Sequence, residues 1–338
     1  MNNALVTIIV PCYNMGDKIH RLLDSILAQT YKHLQLIIVN DGSTDHSAEV
    51  IKSYIPKFEK INVCVEYIYQ ENKGLGGAIN TGLKRIRGDY FCWPDADDTL
   101  TEDSVEKKVA FMENHPDYGL VRSDAALFYE NDLGKSIGCI SRKAPCRFKE
   151  TNLFEDYILE KDVIFCPGCH MIRTSAFKTI NPEMDIFEGK MGQDYQLLLP
   201  MVYTYKYGYI DECLYNYVIY NGSMSRSEDW RKKRFDACQQ IIIETLNRIH
   251  MSDSERAYYI ELTKQKYLAL KAINSFILGR RSEYNHLLKG IDRFYIPLFV
   301  DIYSIILRVS MKLRFIPGAF FFAKFFFTVR QKYRGYNR

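Results

Sequence analysis

The sequence predicts an α/β protein with a doubly wound, mainly parallel sheet flanked by helices, followed by a C-terminal helical extension. Two observations support this fold class. In the first hundred residues, four short apolar segments alternate with segments of helical periodicity, which is the pattern of right-handed βαβ units. Beyond Trp230 a helical pattern continues almost to the end of the chain. The 338 residues suffice for one large or two modest domains.

The four predicted strands are rich in apolar, β-branched and aromatic residues, as buried parallel strands are. They cover residues 6–10, 34–39, 63–69 and 89–93. An apolar stripe at helical spacing predicts the first helix between Ile19 and Leu27. The next helices are predicted within 45–58 and 76–86. Farther along, the pattern predicts a strand over 120–128, a short helix over 154–159 and a strand over 209–220.

The cysteine content and the net charge limit the cellular environment and the classes of partner that we expect. Nine cysteines lie at irregular spacings, and the first residues do not resemble a secretory signal, so we expect free thiols in a reducing, cytoplasmic environment. The net charge of +4 is too small to indicate nucleic-acid binding. Cys166-Pro-Gly-Cys169, next to His170, leaves a redox or zinc site as an alternative. Zinc needs further ligands, for which Cys139 and Cys146 are the nearby cysteines.

The segment Asp95-Ala-Asp97-Asp98 directly follows the fourth predicted strand. Three carboxylates at a strand end repel one another and lose hydration, and a divalent cation relieves both costs. Oxygen ligands favour Mg²⁺ or Mn²⁺, which keep positions open for substrate phosphates. The cluster therefore indicates metal-assisted chemistry on a phosphate-bearing ligand. The alternative is a solvated acidic turn that caps a helix starting near Thr101.

Ligands of open α/β sheets bind beyond the carboxyl ends of the parallel strands. All four predicted strands are followed there by polar, glycine-containing or aromatic segments, and four in register are a stronger signal than one. The segments are Pro11-Cys-Tyr-Asn14, Asn40-Asp-Gly-Ser-Thr-Asp45, Gln70-Glu-Asn-Lys-Gly-Leu-Gly-Gly77 and the aspartate cluster.

The last segment of the chain, residues 291–338, is basic and aromatic. It carries nine Lys or Arg residues against two Asp. Pro317, Gly318 and Lys324 interrupt its longest apolar run, which falls short of the ~18–20 residues that span a bilayer. The composition predicts helices lying on an anionic membrane surface. A helical hairpin packed on the preceding domain or on a second subunit is the alternative, which leaves a homo-oligomer open.

Taken in order, the motifs resemble the family 2 glycosyltransferases, inverting enzymes of the GT-A fold that use nucleotide-diphospho-sugars. The resemblance implies a catalytic domain over 1–228, with a nucleotide-sugar half of about 1–100 and an acceptor half of about 101–228. Residues 229–338 then form the helical C-terminal region. The matching segments are Val10-Pro-Cys-Tyr-Asn14, Asn40-Asp-Gly-Ser-Thr-Asp45, Glu71-Asn-Lys-Gly74, Asn80-Thr-Gly82, Gly88-Asp-Tyr90, Asp95-Ala-Asp-Asp98, Gly192-Gln-Asp194 and Asn221-Gly-Ser-Met-Ser225.

The resemblance implies a donor site on the first three loops. Pro11 and Tyr13 are implied to line a uracil pocket, where the aromatic ring stacks on the base, and Asp41 to accept the uracil N3–H. Tyr13 as a core residue and Asp41 as part of an Asx-turn are the alternatives. Asp45 fits a helix-capping role better than a catalytic one. The residues implied near the phosphates or the ribose are Asn72, Lys73 and Gly74.

Asp95 and Asp97 match the family's Asp-X-Asp motif. By that resemblance Asp97 ligates Mn²⁺ or Mg²⁺, Asp95 contacts the ribose or a metal-bound water, and Asp98 orders their surroundings. Ala78 stands where the family often has an arginine near the diphosphate. The residues left to supply a cation or to complete the diphosphate site are Lys73, Ser223, Ser225 and Arg226.

By the same resemblance, Asp194 is the base that deprotonates the acceptor hydroxyl as it attacks the anomeric carbon in line. For Asp194 alone, a first-turn carboxylate favoured by the helix dipole is the alternative. Gln193 replaces the family's Glu, which bears on acceptor-side hydrogen bonding. Gly168-Cys-His170-Met-Ile-Arg173 resembles the acceptor-site strand, so His170 is a candidate acceptor contact, although a lone His is more often structural.

The sequence thus predicts an inverting, metal-dependent glycosyltransferase, peripheral on the cytoplasmic face of the membrane. Its expected partners are a nucleotide-sugar donor, first of all a UDP-sugar, and a saccharide or lipid-linked saccharide acceptor of surface polysaccharide synthesis. Three rival functions remain. A sugar nucleotidyltransferase usually has a Gly-rich basic loop where this chain has Cys12-Tyr-Asn14. The others are an inactive nucleotide-sugar-binding module and a thiol redox protein built on Cys166 and Cys169.

Overall fold

The computed structural model describes residues 4–143, 152–161, 163–189, 191–220, 228–296, 307 and 309–312. The described residues divide into two compact units. The first takes those within 1–154 and 162–224, and the second those within 155–161 and 225–338. The catalytic and membrane roles that the sequence predicts for the parts of the chain stay predictions.

The first unit begins with strands and helices in alternation, as the periodicity predicts. The strands are β1 (Val6–Cys12), β2 (Leu34–Asp41), β3 (Cys64–Gln70) and β4 (Tyr90–Cys92), and the helices between them are α1 (Ile19–Leu27), α2 (Ser47–Glu59) and α3 (Gly74–Leu83). β1, β2 and β4 are buried along their whole length, whereas β3 is partly exposed. The expectation that all four strands are buried is therefore wrong for β3, because that strand lies at the edge of the sheet.

The remaining elements of this unit mix short and long strands with helices. They are β5 (Thr99–Leu100), α4 (Ser104–Asn114), β6 (Tyr118–Tyr129), β7 (Gly138–Cys139), α5 (Leu153–Leu159, which crosses into the second unit), β8 (His170–Arg173), α6 (Thr174–Ile180), α7 (Gln193–Thr204) and β9 (Lys206–Ile219). The apolar run that predicts a strand at 120–128 is β6, and the one at 209–220 is β9.

The sheet has the order β3-β2-β1-β4-β8-β6-β9-β5, with β7 on β6. Its long pairings are parallel: β1 with β2, β2 with β3, and β6 with β9. The antiparallel pairings span only two or three residue pairs each. The sheet is therefore mainly parallel, as predicted. The chain leaves β1 for β2 on one side and returns to β4 on the other, so a ligand crevice is expected beyond the ends of β1 and β4.

The described part of the second unit is helical. Besides the end of α5 it contains α8 (Glu228–Arg248), α9 (Asp253–Ile277) and α10 (Arg281–Leu288). A reciprocal capping box between Ser252 and Glu255 begins α9. Lys266 is buried on this helix and donates to Glu160 Oε1 at 2.7 Å and to the Ile158 carbonyl at 2.8 Å.

None of the described helices is both long enough and apolar enough to cross a bilayer. Most of the basic, aromatic segment 291–338 lies outside the described residues. Its predicted membrane contact, and the alternative of packing on a subunit, therefore stay predictions.

Candidate active site

The aspartate loop after β4 is held by strand β9. The buried carboxylate of Asp98 accepts the Val218 N–H at 2.8 Å through Oδ1, and the Asp95 N–H donates to the Tyr215 hydroxyl at 3.1 Å. Tyr215 has no exposed surface, so its hydroxyl is fixed by the core. The acidic segment is thus a braced loop rather than a solvated turn.

Two cations from the beginning of α1 lie at Asp97. The Tyr220 hydroxyl donates to the Asp97 carbonyl oxygen at 2.8 Å, and Nη2 of Arg21 donates to the same oxygen at 3.5 Å and to the Tyr220 hydroxyl. Nζ of Lys18 lies 3.6 Å from the centroid of the Tyr220 ring. The side chains of Lys18 and Arg21 therefore place positive charge at the aspartate loop. The sequence motifs do not indicate this contribution.

The loop carboxylates are electrostatically unfavourable as a bare cluster. Burial raises the pKa of Asp95 and of Asp98 well above the usual range, and neighbouring carboxylates raise both further. Burial also raises the pKa of Asp97, against the opposing effect of Lys18 and Arg21. Deprotonation of this loop is therefore favoured by any cation that binds to it.

The donor atoms fit a hard divalent cation with an open coordination sphere. Oδ2 of Asp98 is buried and has no hydrogen-bond partner of ordinary geometry among the described residues. Within that same part of the chain, the oxygens of Asp95, Asp97 and Asp98 do not all lie within 4.8 Å of one another. The loop is thus not a closed three-carboxylate cage. It suits an ion held by one or two carboxylates that leaves positions for substrate oxygens.

Asp194 joins the same site from helix α7. It lies in the first turn, after Gly192, whose φ of 82° only glycine adopts readily. Burial raises the pKa of Asp194 to about 7, although the indole N–H of Trp93, 3.1 Å from Oδ1, lowers it. The charge of Asp194 contributes to the raised pKa of Asp95. Two motifs that are about a hundred residues apart therefore lie close enough in space for their charges to interact.

The ring of Trp93 is backed by His170. The two rings are stacked, with centroids 6.1 Å apart and planes 16° from parallel. His170 has no exposed surface, its Nδ1–H donates to the Cys166 carbonyl at 3.0 Å, and burial lowers its pKa to about 3. The imidazole is therefore neutral and supports the indole. The predicted contact of His170 with an acceptor stays a prediction.

The loops after β2 and β3 are joined through Asp41. Its Oδ1 accepts from Gln70 Nε2 at 2.7 Å and from the Lys73 N–H at 2.9 Å, and the residue is 3% exposed. Gly42 has a φ of 74°, and a Cβ there would lie 2.9 Å from the Asn72 nitrogen. This close approach of two backbones requires glycine, and it brings the loop after β3 next to the end of β2, where Asp41 lies.

The loops after β1 and β2 are joined as well. Asn14 accepts the Thr44 N–H at 2.8 Å, and Asp45 accepts the N–H groups of Gly16 at 2.9 Å and Ser47 at 3.0 Å. Burial acts to raise the pKa of Asp45, but these hydrogen bonds outweigh it and lower the pKa. Asp45 thus joins the two loops and accepts the first N–H group of α2, although the N-cap of that helix is His46 rather than Asp45.

The remaining donor-site candidates that the structure describes lie at the end of β1 or on the segments that follow β1 and β3. Pro11 is buried at the end of β1, whereas the adjoining Tyr13 ring is 47% exposed, as a stacking platform requires. Asn72 and Lys73 are exposed directly before α3, and Gly74 is its first residue. Ser223, Ser225 and Arg226 lie outside the described residues, so their predicted roles stay predictions.

The segment 186–189 is hydrogen-bonded to both α3 and α7, the helix that carries Asp194. The side-chain amide of Asn80 on α3 exchanges two hydrogen bonds of 2.6 Å with the backbone of Ile186. Gln196 on α7 accepts the Phe187 N–H at 2.5 Å and donates to the Phe187 carbonyl at 3.3 Å. The Asn80 motif is therefore a structural link between the two halves of the crevice. Gln193, beside Asp194, is 8% exposed, and its Oε1 has no hydrogen-bond partner within the described ranges.

Several residues of the site carry no signal in the sequence. Each contacts a backbone group, an aromatic ring or a carboxylate that lies far from it in the sequence, so none belongs to a recognisable motif. These residues are Lys18, Arg21, Trp93, Tyr215 and Tyr220. The pair Cys166 and Cys169 is buried and its thiols are free, beneath the aspartate loop. The hydrogen bond with Cys169 and, after it, burial raise the pKa of Cys166 well above the usual range, which does not favour a reactive thiolate.

Residues 7–180 match the family described as Glycosyl transferase family 2. Glycosyltransferase GlyA of Streptococcus pneumoniae is 32% identical over 269 residues, which cover 76% of this chain and 37% of GlyA. An uncharacterized glycosyltransferase of Rickettsia prowazekii is 41% identical over 110 residues, 32% of each chain. The chain thus spans about a third of the length of these two relatives.

Solved structures with the same fold extend the likeness. S. aureus TarS 1–349, in complex with UDP-GlcNAc, matches with a TM-score of 0.64 and 16% identity over 97% of this chain and 92% of that chain. The mannosyltransferase PcManGT of Pyrobaculum calidifontis, in complex with GDP-Man and Mn²⁺, matches with a TM-score of 0.51 and 15% identity over 92% and 87%. At this identity the matches show the fold alone.

Proposed function

The chain belongs to glycosyl transferase family 2, and on that premise we propose that it transfers a sugar from a nucleotide-diphospho-sugar to a saccharide hydroxyl, with inversion at the anomeric carbon. Membership confirms the family and the enzyme class that the ordered motifs predict, and the structural matches confirm the GT-A fold. The observation that carries the proposal is the meeting of Asp194 with the Asp95–Asp98 loop at the carboxyl edge of the sheet.

A UDP-sugar is the donor that we propose. Both hydrogen bonds that Asp41 accepts from described residues fall on Oδ1, which leaves Oδ2 for the N3–H of uracil. The exposed ring of Tyr13 suits stacking on the base. The ligands of the TarS and PcManGT complexes, UDP-GlcNAc and GDP-Man, support the class of nucleotide-diphospho-sugars.

A divalent cation, Mn²⁺ or Mg²⁺, belongs to this proposal. Asp97 and Asp95 would hold it, and when bound it supplies Lewis-acid stabilisation of the diphosphate leaving group. Lys18 and Arg21 add fixed positive charge at the same loop. The family often has an arginine near the diphosphate where this chain has Ala78, which is buried in α3. Lys18 and Arg21 would supply the positive charge that this arginine provides.

Asp194 is the proposed base. A carboxylate whose pKa is near 7 is ionised in part at neutral pH and remains basic enough to take a hydroxyl proton. The Trp93 indole holds Oδ1, so Oδ2 is the oxygen that accepts the proton. The acceptor oxygen forms its bond to the anomeric carbon as the bond from that carbon to the phosphate oxygen breaks. The electron pair leaves with the nucleoside diphosphate, and one displacement inverts the configuration.

The acceptor and the location rest on the sequence. We propose a saccharide acceptor, lipid-linked and used in surface polysaccharide synthesis. The basic, aromatic segment 291–338 supports a position at the cytoplasmic membrane surface. A sedimentation assay with anionic and neutral vesicles tests the membrane part, and binding that is independent of lipid charge would contradict it.

Calorimetric titration with UDP, with and without Mn²⁺, tests the donor site. We expect Mn²⁺-dependent binding in the wild type and its loss in Asp97→Asn. The matched control is Asp117→Asn, because Asp117 is an exposed carboxylate whose partner is Lys206 Nζ at 2.7 Å. UDP binding that ignores both the metal and Asp97→Asn would contradict the metal assignment. Binding of GDP or CDP in place of UDP would contradict uracil as the nucleobase of the donor.

A further inference from the structure

Three side chains that are far apart in the sequence converge on the sheet of the first unit. Asp124 lies on β6, Cys139 on β7 and Cys213 on β9, and strand β6 pairs with both of the others. A carboxylate oxygen and the two Sγ atoms all lie within 4.8 Å of one another, and the sulfurs are 2.8 Å apart. Both thiols are free, and their sulfurs lie close enough for one ion to contact both of them and the carboxylate.

The backbone aims Asp124 at the two cysteines. The pairing of β6 with β9 shifts register on both sides of Asp124, and such bulges redirect a side chain. The carboxylate is then oriented by three donors: the Ala125 N–H to Oδ1 at 2.8 Å, the Ser141 N–H to Oδ1 at 3.2 Å and the Ser141 hydroxyl to Oδ2. Hydrogen bonds that fix a carboxylate in this way are typical of the surroundings of metal ligands.

We propose that Asp124, Cys139 and Cys213 bind a thiophilic divalent cation of the Zn²⁺ class. Two sulfur ligands and one carboxylate oxygen are a donor set that zinc takes in proteins. Each thiol gives up its proton as its sulfur binds, so two protons leave for each ion, and the cation offsets two of the three negative charges. Both cysteines are partly exposed, which lets water fill a fourth position.

Binding requires a small movement. Zn–S bonds of about 2.3 Å at a tetrahedral angle place two sulfurs about 3.8 Å apart, so the Cys139 and Cys213 side chains separate by roughly 1 Å. This site differs in chemistry from the oxygen site at Asp97. It clips β7 and β9 to β6, and β9 carries Tyr215 and Val218, which hold the aspartate loop. The inference does not depend on the proposed function.

Cobalt titration of the full chain, reduced and stripped of metal, tests this site without an activity assay. Co²⁺ bound to thiolates gives a near-ultraviolet charge-transfer band that oxygen ligands at Asp97 do not give. We expect the band to saturate at one ion per chain in the wild type and in the control Cys64→Ser, whose cysteine is exposed elsewhere. Zn²⁺ should abolish it by displacement.

Variants of the two cysteine ligands and of Ser141 should show what each residue contributes to metal binding. Cys139→Ser and Cys213→Ser should lose the charge-transfer band, and Ser141→Ala, which removes the hydroxyl that donates to Oδ2 of Asp124, should weaken Co²⁺ binding about 10- to 100-fold. If a variant fails to fold, alkylation of the wild type decides: Zn²⁺ should protect Cys139 and Cys213 but not Cys64. Absence of the band, or its survival in both cysteine variants, would overturn the proposal. A Cys139–Cys213 disulfide in protein that binds no Zn²⁺ after reduction would do so too.

Discussion

The indole N–H of Trp93 donates to Oδ1 of Asp194 at 3.1 Å, and this bond joins the segment that leads from β4 into the aspartate loop to the helix that carries the proposed base. Trp93 is 1% exposed and stacks on the buried His170 ring, so the donor is held in place from behind. The bond favours the ionised form of a carboxylate that burial pushes toward neutrality. It therefore sets both the orientation and the basicity of Asp194.

Replacing Trp93 by Phe should move the acidic limb of the pH–rate profile to higher pH. The indole N–H lowers the pKa of Asp194, and its loss leaves burial unopposed. Since the base must be ionised, the rate should fall more at pH 6 than at pH 9. Profiles of kcat for the wild type and Trp93→Phe check this. An unshifted limb with a uniformly lower rate would show that Trp93 acts only through packing.

Replacing Asp194 by Asn should lower kcat by about 10²–10⁴-fold, the usual contribution of a general base. The amide keeps an oxygen to accept from Trp93 but cannot take a proton, so Mn²⁺-dependent UDP binding should be unchanged. Steady-state kinetics and calorimetry on the same preparation measure the two effects. A variant that loses UDP binding in proportion to its rate would argue for a donor-site role.

The same substitution should stabilise the fold at high pH. The pKa of Asp194 is about 7 in the folded protein and 3.8 as its ordinary value, so the folded state binds more protons between these values. Stability from this group is therefore lost as the pH rises from about 4 to 7. Asp194→Asn removes that loss, and we expect it to be more stable than the wild type at pH 8 by on the order of 1–3 kcal/mol.

Urea denaturation at pH 4.5 and pH 8 measures this difference. The gap in free energy of unfolding between Asp194→Asn and the wild type should be several times larger at pH 8. Asp194→Asn also removes the charge that helps to raise the pKa of Asp95, which adds to the gap at pH 8, whereas Asp194 is not among the causes of the raised pKa of Asp98. Equal gaps at the two pH values would mean that Asp194 titrates normally.

Replacing Arg21 by Ala should weaken Mn²⁺-dependent UDP binding roughly tenfold. The guanidinium donates to the Asp97 carbonyl and to the Tyr220 hydroxyl, and hydrogen bonds from a charged group are worth about 1.5–3 kcal/mol. Calorimetry checks the change, with Arg87→Ala as the control, because Arg87 is exposed and pairs with Glu66.

Arg21→Lys separates charge from geometry. Lysine keeps the positive charge but loses the planar fork that reaches two oxygens, so its affinity should lie between the wild type and Arg21→Ala. An affinity of Arg21→Ala equal to that of the wild type would mean that Arg21 only packs against Tyr220.

The order of elements in the first hundred residues follows from the sequence, because burial on both faces and helical periodicity leave a pattern that each segment carries by itself. The strand-end loops and the paired motifs around Asp95 and Asp194 are local in the same sense. The position of β3 at the edge of the sheet does not follow from its own segment, because it depends on which strands pair with one another.

The sequence by itself determined the fold class and the family, and it predicted the acidic residues of the candidate site, since these depend on short segments read in order. Only the tertiary structure decided what surrounds those carboxylates. The indole at Asp194, the α1 cations at Asp97 and the meeting of Asp124 with Cys139 and Cys213 join positions from 15 to 101 residues apart. Such contacts depend on strand register and loop closure over long separations, for which no short segment carries a pattern.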